Sequence, residues 1–498
     1  MTSAPEHVDV LIVGAGLSGI GAACQLREHL PTKSVAVLEA REASGGTWDL
    51  FKYPGIRSDS DMFTFGFGWR PWPGDRALAD GPSILDYLRT VAEEYGVDEL
   101  IRYRHRVTGA SWDSATALWT VEIDTGSGPG ATPTTLTASF LWGCSGYYDY
   151  DEPYAPELPG VDTFEGTVVH PQHWPEELDY AGKKVVVIGS GATAVTLVPA
   201  MADTAEHVTM LQRSPSYILS RPGRDRLASA LGRLPTRLSY PVVRWANILL
   251  TVGSYQVARR RPELMKGLIR KGVEAQLPDD YDVDVHFRPR YDPWDQRLCF
   301  VPDGDLFRAL RKGQASIVTD TIETFTPTGI RLTSGQELEA DIVVTATGLQ
   351  LLAFGGLDLV VDGEPVDFSR TMAYKALMLS GVPNFVYTVG YTNASWTLKA
   401  DLVSTYVVRL LRHLDRIGAR SAVPVRQPGV AEIPFMDFQS GYVLRSLDRL
   451  PKQGDRAPWR LKQNYLTDLR TIKRGAIDDG VLAFDSVPAR GDATLTTV

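Results

Sequence analysis

Twice along this chain, a short run of β-branched and apolar residues ends in a glycine turn and passes straight into a helical stretch. The first unit is Val8-Asp-Val-Leu-Ile-Val13, then Gly14-Ala-Gly16-Leu-Ser18-Gly19, a helical stretch from Ile20 to Leu30, and a strand Val35 to Leu38 that ends at Glu39. The second is Lys184 to Ile188, then Gly189-Ser190-Gly191-Ala192-Thr193-Ala194-Val195, and a strand Val208 to Leu211. The spacing is that of a strand–turn–helix–strand unit built to bind a dinucleotide. The first glycine permits the tight turn, the second lets the backbone approach a pyrophosphate, and the third position lets helix and strand pack closely. Free amides at the helix N-terminus then favour the anion. The expected fold class is α/β, with two Rossmann-like dinucleotide-binding domains and a mostly helical insertion.

The two units differ where their second strands end. The first ends at Glu39, whose carboxylate suits a ribose hydroxyl; the second ends at Gln212-Arg213. An acid there repels a 2′-phosphate, whereas an arginine binds it through two parallel hydrogen bonds. The first site therefore suits FAD, and the second suits NADPH rather than NADH.

A formal charge of −9 over 498 residues lacks the basic footprint of a nucleic-acid binder. The three cysteines, Cys24, Cys144 and Cys299, are far apart and show no metal-type spacing, so neither a disulfide framework nor a metal site is expected. A reducing, cytoplasmic setting suits such a chain. The segment 221–271 is the exception to the acidic balance. It carries twelve Lys and Arg against Asp225 and Glu263, a local +10 that leaves −19 elsewhere. With Ile248, Leu249 and Leu250 nearby, it invites peripheral contact with anionic lipid. The apolar stretch Val242 to Val257 is interrupted by Arg244 and Asn247 and reads as too short and too polar to span a membrane.

The segments divide the chain into 1–150 (FAD domain, first part), 151–217 with 296–348 (NADP domain), 218–295 (helical insertion) and 349–498 (FAD domain, second part). Residues 117–150 read as β-rich around a loose Gly126-to-Gly130 turn. The pattern from Leu402 to Leu414 predicts one long helix.

Between the two glycine loops lies Phe164-Glu-Gly166-Thr-Val-Val-His170-Pro-Gln-His-Trp174-Pro175, and after the first unit comes Gly45-Gly46-Thr47-Trp48-Asp49-Leu50-Phe-Lys-Tyr53-Pro54-Gly55-Ile-Arg57-Ser58-Asp59. Both match long patterns, in the right order, of the Baeyer–Villiger monooxygenases. The chain resembles that family of class B flavoprotein monooxygenases from Val8 to about Asp479. It looks most like the ethionamide-activating branch through Gly-Gly-Thr-Trp-Asp-Leu-Phe and Trp294-Asp-Gln296-Arg297-Leu-Cys299. Relatives that oxidise nitrogen or sulfur usually carry Tyr or Phe at the place of Trp174.

The resemblance implies a set of roles. FAD contacts fall on Gly14, Gly16, Ser18, Gly19, Glu39, Thr47, Trp48, Asp49, Leu50, Asp59 and Val107. NADP contacts fall on Arg57, Ser58, Asp59, Gly189, Ser190, Gly191, Ala192, Thr193, Ala194, Val195, Gln212 and Arg213. Phe164, Gly166, His170 and Trp174 form the linker fingerprint. Arg297 is the active-site cation, with Asp59 holding it; Asp59 also reads as a helix N-cap. Many family members place Lys before this arginine. Gln296 stands there instead, so NADPH preference rests more heavily on Arg213.

The implied reaction uses FAD and NADPH to convert ketones to esters or lactones through a flavin peroxide, with side activity on thioethers and thioamides. Its partners would be a small ketone or sulfide and molecular oxygen. A flavin monooxygenase acting mainly on nitrogen or sulfur is the alternative. Dithiol oxidoreductases also have two dinucleotide loops but need a redox cysteine pair, which this chain lacks. Trp396, in Tyr391-Thr-Asn-Ala-Ser-Trp396, reads equally as pocket wall or core.

Overall fold

The computed structural model describes residues 5–126, 132–436 and 440–485. Its α/β architecture is organised around two separate sheets, one for each glycine loop. In the first, strand Glu6–Val13 lies between Val35–Leu38 and Thr132–Gly143, parallel to both, with Val10 opposite Val35 and Phe140. Val10, Leu11 and Ile12 are fully buried, which is why this strand is apolar on both faces rather than alternating. The chain returns late to the same sheet. Phe385–Tyr387 pairs with the end of Thr132–Gly143, and Asp358–Val361 pairs with His105–Asp113.

The second sheet is wholly parallel, in the order Ala315–Thr319, His207–Gln212, Lys184–Ile188, Ile342–Thr345, Thr167–Val169. The linker fingerprint thus supplies the edge strand of the second sheet. Gly166 is required there, because a Cβ would stand 2.4 Å from the Asp341 carbonyl. Phe164 packs edge-on against Phe325, and Trp174 lies against the core of this sheet.

Residues 218–295 are mostly helical, with Thr236–Arg260 and Pro262–Glu274 the longest helices. Of the three apolar residues read as lipid-facing, Leu249 and Leu250 are exposed on Thr236–Arg260, but Ile248 is buried. Arg244 and Asn247 face inward, while Leu238, Val242, Trp245, Leu249 and Leu250 are 41 to 60 % exposed. The inward face is possible because Arg244 finds partners. It donates to the Phe63 and Gly66 carbonyls, at 2.7 and 2.6 Å, and to Asp401 at 3.1 Å. Those carbonyls close the helix Met62–Phe65, where a cation meets the orphan acceptors and the negative dipole end.

Three local expectations shift. The helix after the first loop starts at Leu17, inside the glycine turn, rather than at Ile20. The long C-terminal helix runs Trp396–Ile417, wider than Leu402 to Leu414, and stops at Gly418 with φ +69. The N-cap after the Asp59 segment is Asp61, not Asp59: its carboxylate accepts from the Thr64 amide at 2.8 Å. The Gly126-to-Gly130 turn lies, beyond Gly126, outside the described residues.

Candidate functional site

A large cleft of about 460 Å³ is lined by the first glycine loop and by the start of the helix that follows the second. On one side stand Gly14, Gly16, Ser18, Glu39, Thr47, Trp48, Leu50 and Val107; on the other, Ala192, Thr193 and Val195. Arg57, Ser58, Asp59 and Arg297 occupy the ground between them.

The first loop is shaped as a cradle. Gly14 has φ +104, and a Cβ there would stand 2.7 Å from the Cys144 carbonyl. Gly19 sits beneath it, where a Cβ would lie 1.8 Å from the Gly14 carbonyl, so it fixes the packing of helix on turn without lining the cleft. Glu39 receives the Ala15 amide at 2.8 Å and the Arg41 amide at 3.0 Å, which holds its carboxylate at the cleft wall. The helices Leu17–His29 and Ala192–Ala202 both begin at a glycine with no side-chain cap. Their first-turn amides lack intrahelical acceptors and suit a phosphate. The Arg57 guanidinium gives one nitrogen to Asp305, while its other terminal nitrogen is buried with no partner among the described residues. Open backbone, uncapped amides and an orphaned cationic donor fit two dinucleotides.

Several expected contacts stand elsewhere. Asp49 is turned from the cleft toward Arg41 and Arg89, at 2.7 and 2.8 Å, and braces its segment. Gly189, Ser190, Gly191 and Ala194 form the second loop but do not line the cleft wall. Gly189 has φ +143, and nothing lies within 4 Å of a Cβ built on Gly191. Gln212 is buried and donates to the His286 carbonyl and Thr319 hydroxyl, whereas Arg213 is exposed just beyond it.

Arg297 and Asp59 meet directly. The Arg297 Nε lies 2.7 Å from Asp59 Oδ2, and a terminal nitrogen donates to Oδ1 at 3.2 Å. This two-point pairing fixes the plane of the guanidinium. Just before it, Trp294 adopts φ +74, a left-handed conformation rare for a bulky residue, within the tight Pro293-to-Gln296 turn that delivers Arg297.

Neither Tyr147 nor Tyr391 stood out in sequence as a site residue. Tyr147 stacks on Trp396 with ring centroids 5.0 Å apart, and the Trp396 Nε1 donates to Ser18 at 2.8 Å. All three rings line the cleft, so Trp396 is pocket wall. The signal for Tyr147 was the strand end Gly143-Cys-Ser-Gly146 directly before it.

His170 accepts the Gln172 amide at 3.1 Å through Nδ1, and its Nε2 is buried without a partner among the described residues. Burial, and then the neighbouring His173, pull this imidazole down to about 4. The three thiols are unpaired and buried, and burial pushes each up to about 12, far from the reactive range.

The chain is 58 % identical over 488 residues to the FAD-containing monooxygenase EthA of Mycobacterium tuberculosis, covering 97 % of this chain and 99 % of the relative. The chain belongs to the flavin-binding monooxygenase family. A family model described as flavin-binding monooxygenase-like matches residues 71–230, and an NAD(P)-binding Rossmann-like model matches 12–76. EthA of Mycolicibacterium smegmatis is 54 % identical over 483 residues, 96 % of this chain and 97 % of that one. The fold is that of a steroid monooxygenase solved with NADP (TM-score 0.70, 22 % identity, 85 % of this chain and 88 % of that one). It is equally that of cyclohexanone monooxygenase (TM-score 0.70, 21 % identity, 85 % and 90 %). The expected enzyme class and cofactor pair, a flavin monooxygenase using FAD and NADPH, are those of this family. A monooxygenase reaction takes a small-molecule substrate and oxygen.

Proposed function

We propose that this flavin-binding monooxygenase is a Baeyer–Villiger enzyme that converts ketones to esters or lactones, with side activity on thioethers and thioamides. One observation carries the reading: a guanidinium, clamped by a carboxylate, stands where the walls of both dinucleotide loops meet. The first loop would hold FAD and the second NADPH, and the bound pair would supply the activated oxygen. Arg297 offers a fixed positive charge to oxygen atoms that become negative as a carbonyl is attacked. A cation already in place needs no reorganisation at that moment. Asp59 sets its plane. Tyr147 and Trp396 wall the space beside it and restrict water. Arg213 stands free to meet a 2′-phosphate at the end of its strand, and Trp174 braces the linker.

The test is product analysis with phenylacetone and with thioanisole, using purified yellow protein and NADPH. Ester from the ketone supports the reading. Sulfoxide without ester from any ketone in a panel of aryl and alkyl substrates overturns it in favour of the nitrogen- or sulfur-oxidising alternative.

Peripheral contact with an anionic bilayer is proposed as well. Leu238, Val242, Trp245 and Leu249 recur at helical spacing on the exposed face of Thr236–Arg260, and Leu264 and Leu268 continue the patch on the next helix. Exposed Arg233, Arg237, Arg260 and Arg261 flank it, an arrangement suited to lipid phosphates. Among the described residues no helix is long and apolar enough to cross a membrane. Co-sedimentation with phosphatidylcholine vesicles, with and without phosphatidylglycerol, tests the contact. Binding only to the anionic vesicles, weakened by Leu238→Ser with Leu249→Ser, is expected; equal recovery in both supernatants overturns it.

A further inference from the structure

A second cavity, about 490 Å³, lies beyond the cofactor cleft. A narrow neck of about 10 Å³ lies between the two and shares wall residues with each. Tyr391 forms part of the wall of all three spaces, and Arg297 faces both the cleft and the neck. The cavity is mostly apolar, with Val389, Phe435, Met436 and Leu461 on its walls. Yet Lys375 and Lys399, with side chains only 6 and 3 % exposed, also line it. The exposed Arg460 and Lys462 belong to the same lining and mark an outer mouth.

Buried ammonium groups are costly and persist only where they are paired or used. Both are paired, in two similar triads. Lys375 lies 2.8 Å from Asp479, which also accepts from Tyr374 at 2.7 Å; Lys399 lies 2.9 Å from Asp468, which also accepts from Tyr391 at 2.8 Å. Each lysine reaches one backbone carbonyl besides, Ala476 and Lys375 respectively, both at 3.3 Å. An ammonium has three donors. Two are used in hydrogen bonds, and the ammonium groups otherwise sit over aromatic rings, Lys375 over Tyr374 and Tyr406 at 4.8 and 5.2 Å and Lys399 over Tyr391 at 5.7 Å, contacts weaker than a bond to a carboxylate. The floor is also strained. Lys375 and Ala376 have φ of +50 and +57, consecutive left-handed residues of a kind that persists where surrounding structure imposes it. With Arg460 and Lys462, the cavity holds four cationic side chains against the carboxylates of Asp468 and Asp479.

An apolar chamber with four cationic side chains against two carboxylates, adjoining the small space that Arg297 also lines, matches a chain with an anionic end. We propose that this chamber binds the carboxylate-terminated tail of an oxo-chain substrate, placing the tail near Lys375 and Lys399 while the reacting group meets Arg297 past Tyr391. The placement at Arg297 rests on the oxygenation reading above; the binding of the tail does not.

The test uses FAD-loaded enzyme and unreactive probes of equal length, decanoate and decanamide, by titration calorimetry. Wild type is expected to bind decanoate about tenfold tighter than decanamide, the scale of one charge-assisted hydrogen bond. Lys399→Met should abolish that preference. Because it leaves Asp468 with only the Tyr391 hydroxyl as partner among the described residues, the exposed double variant Arg460→Gln with Lys462→Gln provides a second measure and should reduce the preference. No binding of either probe, equal affinity for both in wild type, or a preference unchanged in both variants overturns the proposal. Turnover of 9-oxodecanoate against 2-decanone separates the two claims. If neither is oxygenated while decanoate still binds selectively, the reaction assigned above fails and the chamber stands. If both are oxygenated with equal KM, the chamber plays no part in substrate choice.

Discussion

Arg297 and Asp59, 238 positions apart in the chain, share a two-point contact with Nε to Oδ2 at 2.7 Å. The pair is anchored from behind. Asp61 caps the helix Met62–Phe65 at its start, and Arg244 closes its end. Asp59→Ala should leave FAD content and anaerobic reduction by NADPH intact but lower the rate of ester formation about a hundredfold, the scale seen when an aligned electrostatic donor is lost. Asp59→Asn, which keeps an acceptor, should lose less. Stopped-flow reduction beside product yield separates the steps; loss of reduction in parallel with ester would assign Asp59 to cofactor binding instead.

The two glycine loops should respond differently to one methyl group. At Gly19 a Cβ would collide with the Gly14 carbonyl at 1.8 Å, whereas Gly191 has nothing within 4 Å. Gly19→Ala should be destabilised by about 3 kcal/mol and lose its yellow colour. Gly191→Ala should fold with normal FAD content and show a KM for NADPH raised about tenfold, because its open space is the approach path for a pyrophosphate. Thermal melts, flavin absorbance and NADPH kinetics check both; an unchanged KM would remove Gly191 from the binding loop.

Asp401→Ala should weaken the fold by about 3–5 kcal/mol by leaving Arg244 buried beside carbonyls alone. Replacing the pair together, as Arg244→Met with Asp401→Leu, should recover part of that loss. Urea denaturation of the two variants and wild type measures it. If Asp401→Ala melts like wild type, the pair contributes nothing to holding the helix Thr236–Arg260 in place.

His170 should make stability sensitive to mild acid. Its folded value is lowered to about 4, chiefly by burial, from an ordinary 6.5. The unfolded chain therefore gains a proton first. The stabilising effect of the neutral ring is present above pH 6.5 and is lost as pH falls toward 4. His170→Asn keeps a cap acceptor without titrating. Its melting temperature should fall less than that of wild type across this window, and parallel curves would exclude the linkage.

The glycine loops were legible in sequence because their requirement is local. Gly14 and Gly189 have φ of +104 and +143, and few residues tolerate such angles. Arg297 with Asp59 was legible only through the family's two long patterns, since nothing in their spacing brings them together. Asp49 was assigned to the flavin by the same pattern, but partners at Arg41 and Arg89 turn it away. The Lys375 and Lys399 triads were not legible. Their acids, Asp479 and Asp468, arrive from about a hundred residues and 69 residues later in the chain, respectively, and only packing reveals them. Arg244 and Asn247 read as flaws in an apolar run because sequence does not show the carbonyls and carboxylates waiting for them inside.

If the chamber takes the substrate tail as proposed, the molecule has two doors: the cleft for the nicotinamide dinucleotide and the mouth beside Arg460 and Lys462 for the substrate. Reactant and product would then exchange without waiting for the nicotinamide to leave, and the order of arrivals and departures would be set by plumbing rather than by chemistry.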